Sequence, residues 1–262
     1  MSLRSSIGAI RRDLLSSAHS RLAPLNDSGP IVTFTFDDFP RSALLTGGAI
    51  LERWNVRGTY YTAPGLMNTS SDAGDLFRQS DVETLCEQGH ELASHTFSHI
   101  SARKTEGGVF ENDLLKGRNT IEQLCGYDTG NFAYPFGDVT FRTKKRVGSQ
   151  LTSARGIFPG LNGPNVDLNL LRANSLYGDL DQLPAAEKMI QQNLEQKTWL
   201  IFYTHDVQAK PSSFGCTPEL LEAVVSSAVR HGCRILTVQE TLECIGVSKG
   251  HTSRRAARSV PA

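Results

Sequence analysis

Apolar residues recur along this chain in two rhythms that take turns, and their alternation predicts the architecture. Short β-rich runs occupy residues 31–36, 58–62, 91–94, 131–134, 150–154, 170–176, 199–204 and 234–237. Helical spacing of apolar positions fills the stretches 43–54, 81–88, 110–124, 184–196, 218–231 and 239–245. Strands separated by helices of this length are joined most simply as parallel strands with crossover helices, so the expected fold is α/β, and seven or eight such units suggest a barrel. Neither a repeat at a fixed period nor an interdomain linker breaks the pattern, which places one domain over residues 31–246.

The two ends follow other rules. Residues 3–22 set Leu3, Ile7, Ile10, Leu14 and Leu22 near helical spacing, with Arg4, Arg11, Arg12 and Arg21 between them. An amphipathic helix is expected within an extension over 1–30, more commonly packed on the main domain than laid on an anionic membrane surface. Residues 247–262, with Arg254, Arg255 and Arg258, have no apolar period and read as a basic tail.

Charge and cysteine usage narrow the function. The 27 Lys and Arg balance 27 Asp and Glu, so no net field favours nucleic acid, and none is expected as a partner. The five cysteines form no C-x-x-C, which argues against a disulfide framework or a thiolate zinc site. With no apolar run of about 18 residues and no signal-peptide core, a cytoplasmic chain is expected.

In an α/β barrel, reactive side chains gather where strands end, so polar residues just after apolar runs carry the information. Here they are Asp37-Asp38 after IVTFTF, His95 and His99 after ELAS, Pro135-Phe136-Gly137 after NFAY, and His205-Asp206 after WLIFYT. Alone, an aspartate pair reads equally as a helix cap, and two histidines four apart read as surface or core residues as readily as ligands. Together, one carboxylate and two imidazoles supply three ligands to a cation and leave positions open for water and substrate. A second aspartate beside the ligand carboxylate can take a proton from water, and His205 can protonate a leaving group.

The segments TFDD at Thr35, SHTFSH at Ser94, AYPFG at Ala133 and YTHD at Tyr203 resemble, in order and approximate spacing, the NodB-homology polysaccharide deacetylases. GTYYTAPG at Gly58, GHELASH at Gly89 and VRHGCRILTVQETL near the end extend the resemblance over about residues 31–245. It implies a distorted (β/α) barrel of about seven strands and a metal held by Asp38, His95 and His99, with Zn²⁺ expected and Co²⁺ or Fe²⁺ also suited. By the same resemblance Asp37 is the general base, His205 the general acid and the Phe136 N–H an oxyanion donor. Tyr134, Pro135, Phe136 and Tyr203 would contact the substrate, an acetylated carbohydrate losing an acetyl group, most simply an N-acetyl group.

Departures from the family pattern carry their own expectations. Ala133 stands where many members have an arginine for the catalytic base, and Arg172 is expected to serve instead. No clear aspartate orients His205; Asp167, Asp179 and Asp181 are the candidates. Phe39 replaces a customary glycine, which would narrow the sugar site. Rival readings are an amidase or deformylase acting on a small or lipid-linked substrate, and a catalytically silent carbohydrate-binding barrel. A glycosidase fits less well, because adjacent aspartates on a strand alternate faces.

Overall fold

The computed structural model describes residues 14–247. In chain order its main strands are β1 (Leu22–Pro24), β2 (Ile31–Asp37), β3 (Thr59–Thr62), β4 (Glu91–Ser94), β5 (Asn131–Ala133), β6 (Ser153–Arg155), β7 (Asn165–Asp167), β8 (Asn174–Ser175), β9 (Trp199–Thr204) and β10 (Arg234–Ile235). The helices are α1, a π-helical Ala43–Gly48 continued by α-helical Ala49–Arg53, then α2 (Gln79–Glu87), α3 (Gly107–Cys125), α4 (Phe141–Gly148), α5 (Leu183–Gln196), α6 (Pro218–Arg230) and α7 (Val238–Cys244).

Parallel pairing orders the main sheet β8-β9-β2-β3-β4-β5-β6, with β10 beside the first half of β2. The sheet curls, and one segment links its two edges. Near its start, Leu168 O accepts from Ala154 N at 2.8 Å and Leu171 N donates to Ala154 O at 2.8 Å; at its end, β8 pairs with β9. This is the expected distorted (β/α) barrel. The predicted run 170–176 shrinks to β8 because the residues before it turn between those edges rather than extend.

Strand parity sets the layers. In β2, Val32, Phe34 and Phe36 belong to the large core between sheet and helices, whereas Ile31 belongs to the core inside the curl. The same two-residue period sends Thr33, Thr35 and Asp37 inward. In β9, Trp199, Ile201 and Tyr203 point inward and Leu200 and Phe202 outward, and the Trp199 indole N–H reaches Thr33 Oγ1 at 2.8 Å. Every strand of apolar residues thus delivers its last inward side chain to one rim.

Three elements lacked an apolar signal. Helix α4, FRTKKRVG, has only Phe141 and Val147 as large apolar residues, too few for an apolar stripe; it is started by Thr140, whose hydroxyl accepts from Thr143 N. Strands β1 and β7 pair antiparallel at only three residues each. They tie the chain start onto the barrel: buried Lys144 donates to Leu15 O at 2.8 Å and Ser16 O at 3.0 Å and pairs with Asp167 at 2.7 Å. Of the helix expected over 3–22, residues 3–13 lie outside the described residues, 14–17 are helical, and Leu22 already begins β1. The basic residues of 248–262 also lie outside them. None of the described helices is long and apolar enough to cross a membrane.

His90, which leads into β4, makes a pH prediction. Its ring is buried, Nδ1 accepts from Gly58 N at 3.0 Å, and Nε2 has no hydrogen-bond partner. Burial, with Arg57 adding to it, pulls the imidazole from 6.5 down to about 4. The unfolded chain therefore binds a proton that the folded chain refuses, so stability holds above pH 6.5 and falls as pH drops toward 4. The loss amounts to about 2–3 kcal/mol. Urea midpoints of His90→Asn, compared with the parent between pH 7 and 4, should show a flatter decline; parallel curves would refute the assignment.

Candidate active site

A cleft of about 380 Å³ opens where β2, β4, β6 and β9 end, lined among others by Asp37, Asp38, His95, His99, Phe136, Tyr203 and His205. Asp37 reaches it by parity. Asp38 would face away on a continued strand, but its φ of 62° turns the chain and brings the second carboxylate onto the same cleft. Both carboxylates therefore face one cleft, unlike neighbouring side chains on a regular strand. Phe39, at φ 55°, then turns its ring away from the cleft to stack on Phe77 at 5.1 Å. It is buried core and narrows nothing.

His95 and His99 are held by a loop, not by the helical turn their spacing suggests. Thr96 and His99 have φ of 63° and 53°, and α3 clamps the segment from behind. One Asp113 carboxylate oxygen accepts from Phe97 N and Ser98 N, each at 2.9 Å. Gly117 of α3 lies so close that a Cβ there would stand 2.6 Å from the Thr96 carbonyl. Non-glycine residues with positive φ recur at Asp38, Phe39, Thr96, His99 and Phe136, so the strained backbone concentrates at this rim.

The donor atoms fit a divalent cation. Asp38 Oδ1 is buried and makes no hydrogen bond, yet His99 Nε2 lies 3.1 Å from it and His95 Nε2 3.7 Å. These residues each offer a ligand atom within 4.8 Å of the others. His95 Nδ1 sits 2.8 Å from Ala133 O, a carbonyl that can only accept, so the N–H is on Nδ1 and Nε2 carries the lone pair. Burial, reinforced by His99, pulls His95 down to about 4 and keeps it neutral and able to ligate at neutral pH.

The arginine on Asp37 is Arg155. Its Nη2 lies 2.5 Å and 2.7 Å from the two Asp37 oxygens, its Nη1 donates to Gly156 O, and its guanidinium sits over the rings of Tyr61 at 4.8 Å and Tyr203 at 5.1 Å. Burial alone would raise the Asp37 carboxyl, but Arg155, with His95 and His205, outweighs it and holds the group below the usual carboxylate range. Arg172 is elsewhere: half-exposed, donating to Pro159 O at 3.0 Å. The reading that ended strand six at Ala154 left Arg155 in a loop. The structure extends that strand by one residue, and parity turns Arg155 inward beside Asp37.

His205 Nε2 lies 3.9 Å from Asp38 Oδ2, and its Nδ1 is 3.2 Å from Phe214 O. None of the three aspartates proposed for it reaches the ring: Asp167 is engaged by Lys144, Ser20 and Arg21 N, Asp179 caps a turn, and Asp181 is exposed in that turn. Tyr203 and Phe136 line the cleft. Tyr134 does not, because it falls on the outward parity after β5 and is buried against Phe132, and Pro135 is buried beside it. Tyr177, Ile157 and Phe214 form walls that the sequence reading missed.

Known proteins resemble this chain in sequence and in fold. The bifunctional xylanase/deacetylase of Pseudobutyrivibrio xylanivorans is 22% identical over 219 residues, 83% of this chain and 31% of its own length. The peptidoglycan-N-acetylglucosamine deacetylase PgdA of Listeria monocytogenes is 25% identical over 146 residues, 52% of this chain and 30% of its own. The chain thus spans about a third of the length of these curated relatives. Among solved structures, the Xyl-CE4 domain of a multidomain xylanase from the hindgut metagenome of Trinervitermes trinervoides superposes with a TM-score of 0.55 at 20% identity, covering 83% of this chain and 92% of that one. A family 4 acetyl xylan esterase from Clostridium thermocellum, in complex with a cobalt ion, gives 0.56 at 18%, covering 83% and 93%. At these identities the superpositions establish the fold. Residues 25–152, which carry Asp37, Asp38, His95, His99 and Phe136, match the family model described as polysaccharide deacetylase, and it is to the polysaccharide deacetylases that this chain is similar in sequence and in fold.

Proposed function

We propose that this chain is a metal-dependent hydrolase that removes acetyl groups, N-acetyl first among them, from a polysaccharide or oligosaccharide. The observation that carries the reading is the orphaned Asp38 oxygen between two imidazole nitrogens, next to an aspartate that Arg155 keeps ionised. Asp38, His95 and His99 would hold the ion, with Zn²⁺ favoured by two nitrogens and one oxygen and Co²⁺ or Fe²⁺ also accepted. When bound, the ion supplies Lewis acidity, polarising the acetyl carbonyl and lowering the pKa of water.

The remaining steps belong to the protein. Asp37 takes a proton at a carboxylate oxygen as water adds to the carbonyl carbon, and Arg155 keeps that oxygen ionised until then. The Phe136 N–H, on a backbone turned at φ 61°, is the donor assigned to the developing oxyanion, a contribution of about 3–4 kcal/mol. His205 Nε2 passes a proton to the departing nitrogen, so the C–N bond breaks to acetate and an amine. Tyr203, Tyr177 and Phe214 give the cleft its apolar walls, suited to the acetyl methyl and a sugar face. The names of the relatives, which act on xylan and on peptidoglycan N-acetylglucosamine, support this substrate class.

The test is acetate release from N-acetylglucosamine oligomers and from acetylated xylan by the chain loaded with Zn²⁺ or Co²⁺, with a formylated amine as control. Acetate release that a chelator abolishes is expected. Formate release without acetate would favour the deformylase reading, and metal binding without any turnover would favour the silent barrel.

A further inference from the structure

We infer that the loop from Asp206 to Cys216 is the device that aims His205, with Asp206 and Ser212 as positioning residues and the Phe214 carbonyl as the anchor of the ring. The inference rests on the reading of His205 as the general acid. Phe214 O accepts from His205 N at 3.0 Å and from Thr204 Oγ1 at 3.3 Å, and His205 Nδ1 stands 3.2 Å from it. A carbonyl only accepts, so it holds the N–H of Nδ1 and leaves Nε2 as the nitrogen facing the cleft.

A loop carbonyl orients a ring only as well as the loop itself is fixed. Asp206 fixes it. Its carboxylate is fully buried and accepts from Ser212 N at 2.8 Å, Ser212 Oγ at 2.5 Å and Gln208 Nε2 at 2.8 Å. Ser212 Oγ in turn accepts from Phe214 N at 3.2 Å, and Cys216 N closes the loop on Asp206 O at 2.9 Å. The carboxylate beside His205 in sequence therefore acts on the imidazole through the loop. It is packed so closely that a Cβ on Gly215 would lie 2.3 Å from Asp206 Oδ1. The same loop presents the Phe214 ring, 58% exposed, to the cleft 5.6 Å from the His205 ring, so one segment both contacts substrate and anchors the acid.

Leaving-group dependence separates aiming from mere folding. An amide needs a proton on its departing nitrogen, whereas nitrophenolate leaves an aryl acetate without one. With the metal-loaded chain, Ser212→Ala should lower kcat on an N-acetylglucosamine oligomer about tenfold, while KM, metal content and nitrophenyl acetate turnover stay within about twofold. Ser212→Thr should restore the amide rate, and Phe214→Leu, which keeps the carbonyl, should raise KM. Equal losses on both substrates, or no loss on the amide, would overturn the inference. His205→Ala serves as the reference: if it too leaves the amide-to-ester ratio unchanged, the general-acid reading has failed rather than the loop assignment.

Discussion

Asp37→Asn should retain the metal and lose turnover, whereas His95→Ala should lose both. The asparagine keeps the shape of the side chain and lies outside the ligand set, but it cannot accept a proton. Removing a general base lowers kcat by about 10²–10⁴. His95 contributes one of the ligand atoms, and its Nδ1 hydrogen bond to Ala133 O aims the other nitrogen, so its loss removes a donor that no neighbouring described side chain replaces. Elemental analysis after dialysis, read beside acetate release, distinguishes the two variants. A metal-free Asp37→Asn would move Asp37 into the ligand set, and a fully active one would remove it as the base.

The second large effect falls on Arg155. Arg155→Met strands a buried carboxylate, and breaking a buried ion pair by removing one partner costs about 3–5 kcal/mol. The variant should unfold at markedly lower urea and release little acetate, since Asp37 without its cation no longer stays ionised so readily. Adding Asp37→Asn to Arg155→Met should recover much of the stability and none of the activity, because the double variant buries no lone charge. Arg172→Ala, by contrast, removes one half-exposed bond to Pro159 O and should shift stability by less than about 0.5 kcal/mol. If Arg172→Ala matched the loss in Arg155→Met, the pairing described here would be wrong.

Legibility along the chain followed the range of the interaction behind each feature. Strands β2, β4 and β9 were readable because their apolar runs are long or bounded by clear turns, and most helices because their stripes are regular. Helix α4 was invisible because capping rather than a stripe specifies it. The short β1 and β7 exist only because they meet each other, a contact between residues over 140 positions apart in the chain. At the site, Asp37, Asp38, His95, His99 and His205 stood out as polar residues following apolar runs. Tyr134 was misplaced because it was taken with its neighbours in the AYPFG segment rather than by alternation, which puts it on the outward face with Phe132.

Local alternation by itself determined the (β/α) order, the outward and inward faces of the long strands and the placing of the candidate metal ligands at strand ends. Those properties depend on neighbours two to four residues apart. Which cation meets Asp37 and which acceptor orients His205 were decided only by strand order, register and the left-handed turns at Asp38, Thr96 and His99. A period of two tells which way Arg155 points, but only the curl of the sheet brings its strand across from β2, so a pairing 118 residues long in sequence becomes a contact of 2.5 Å.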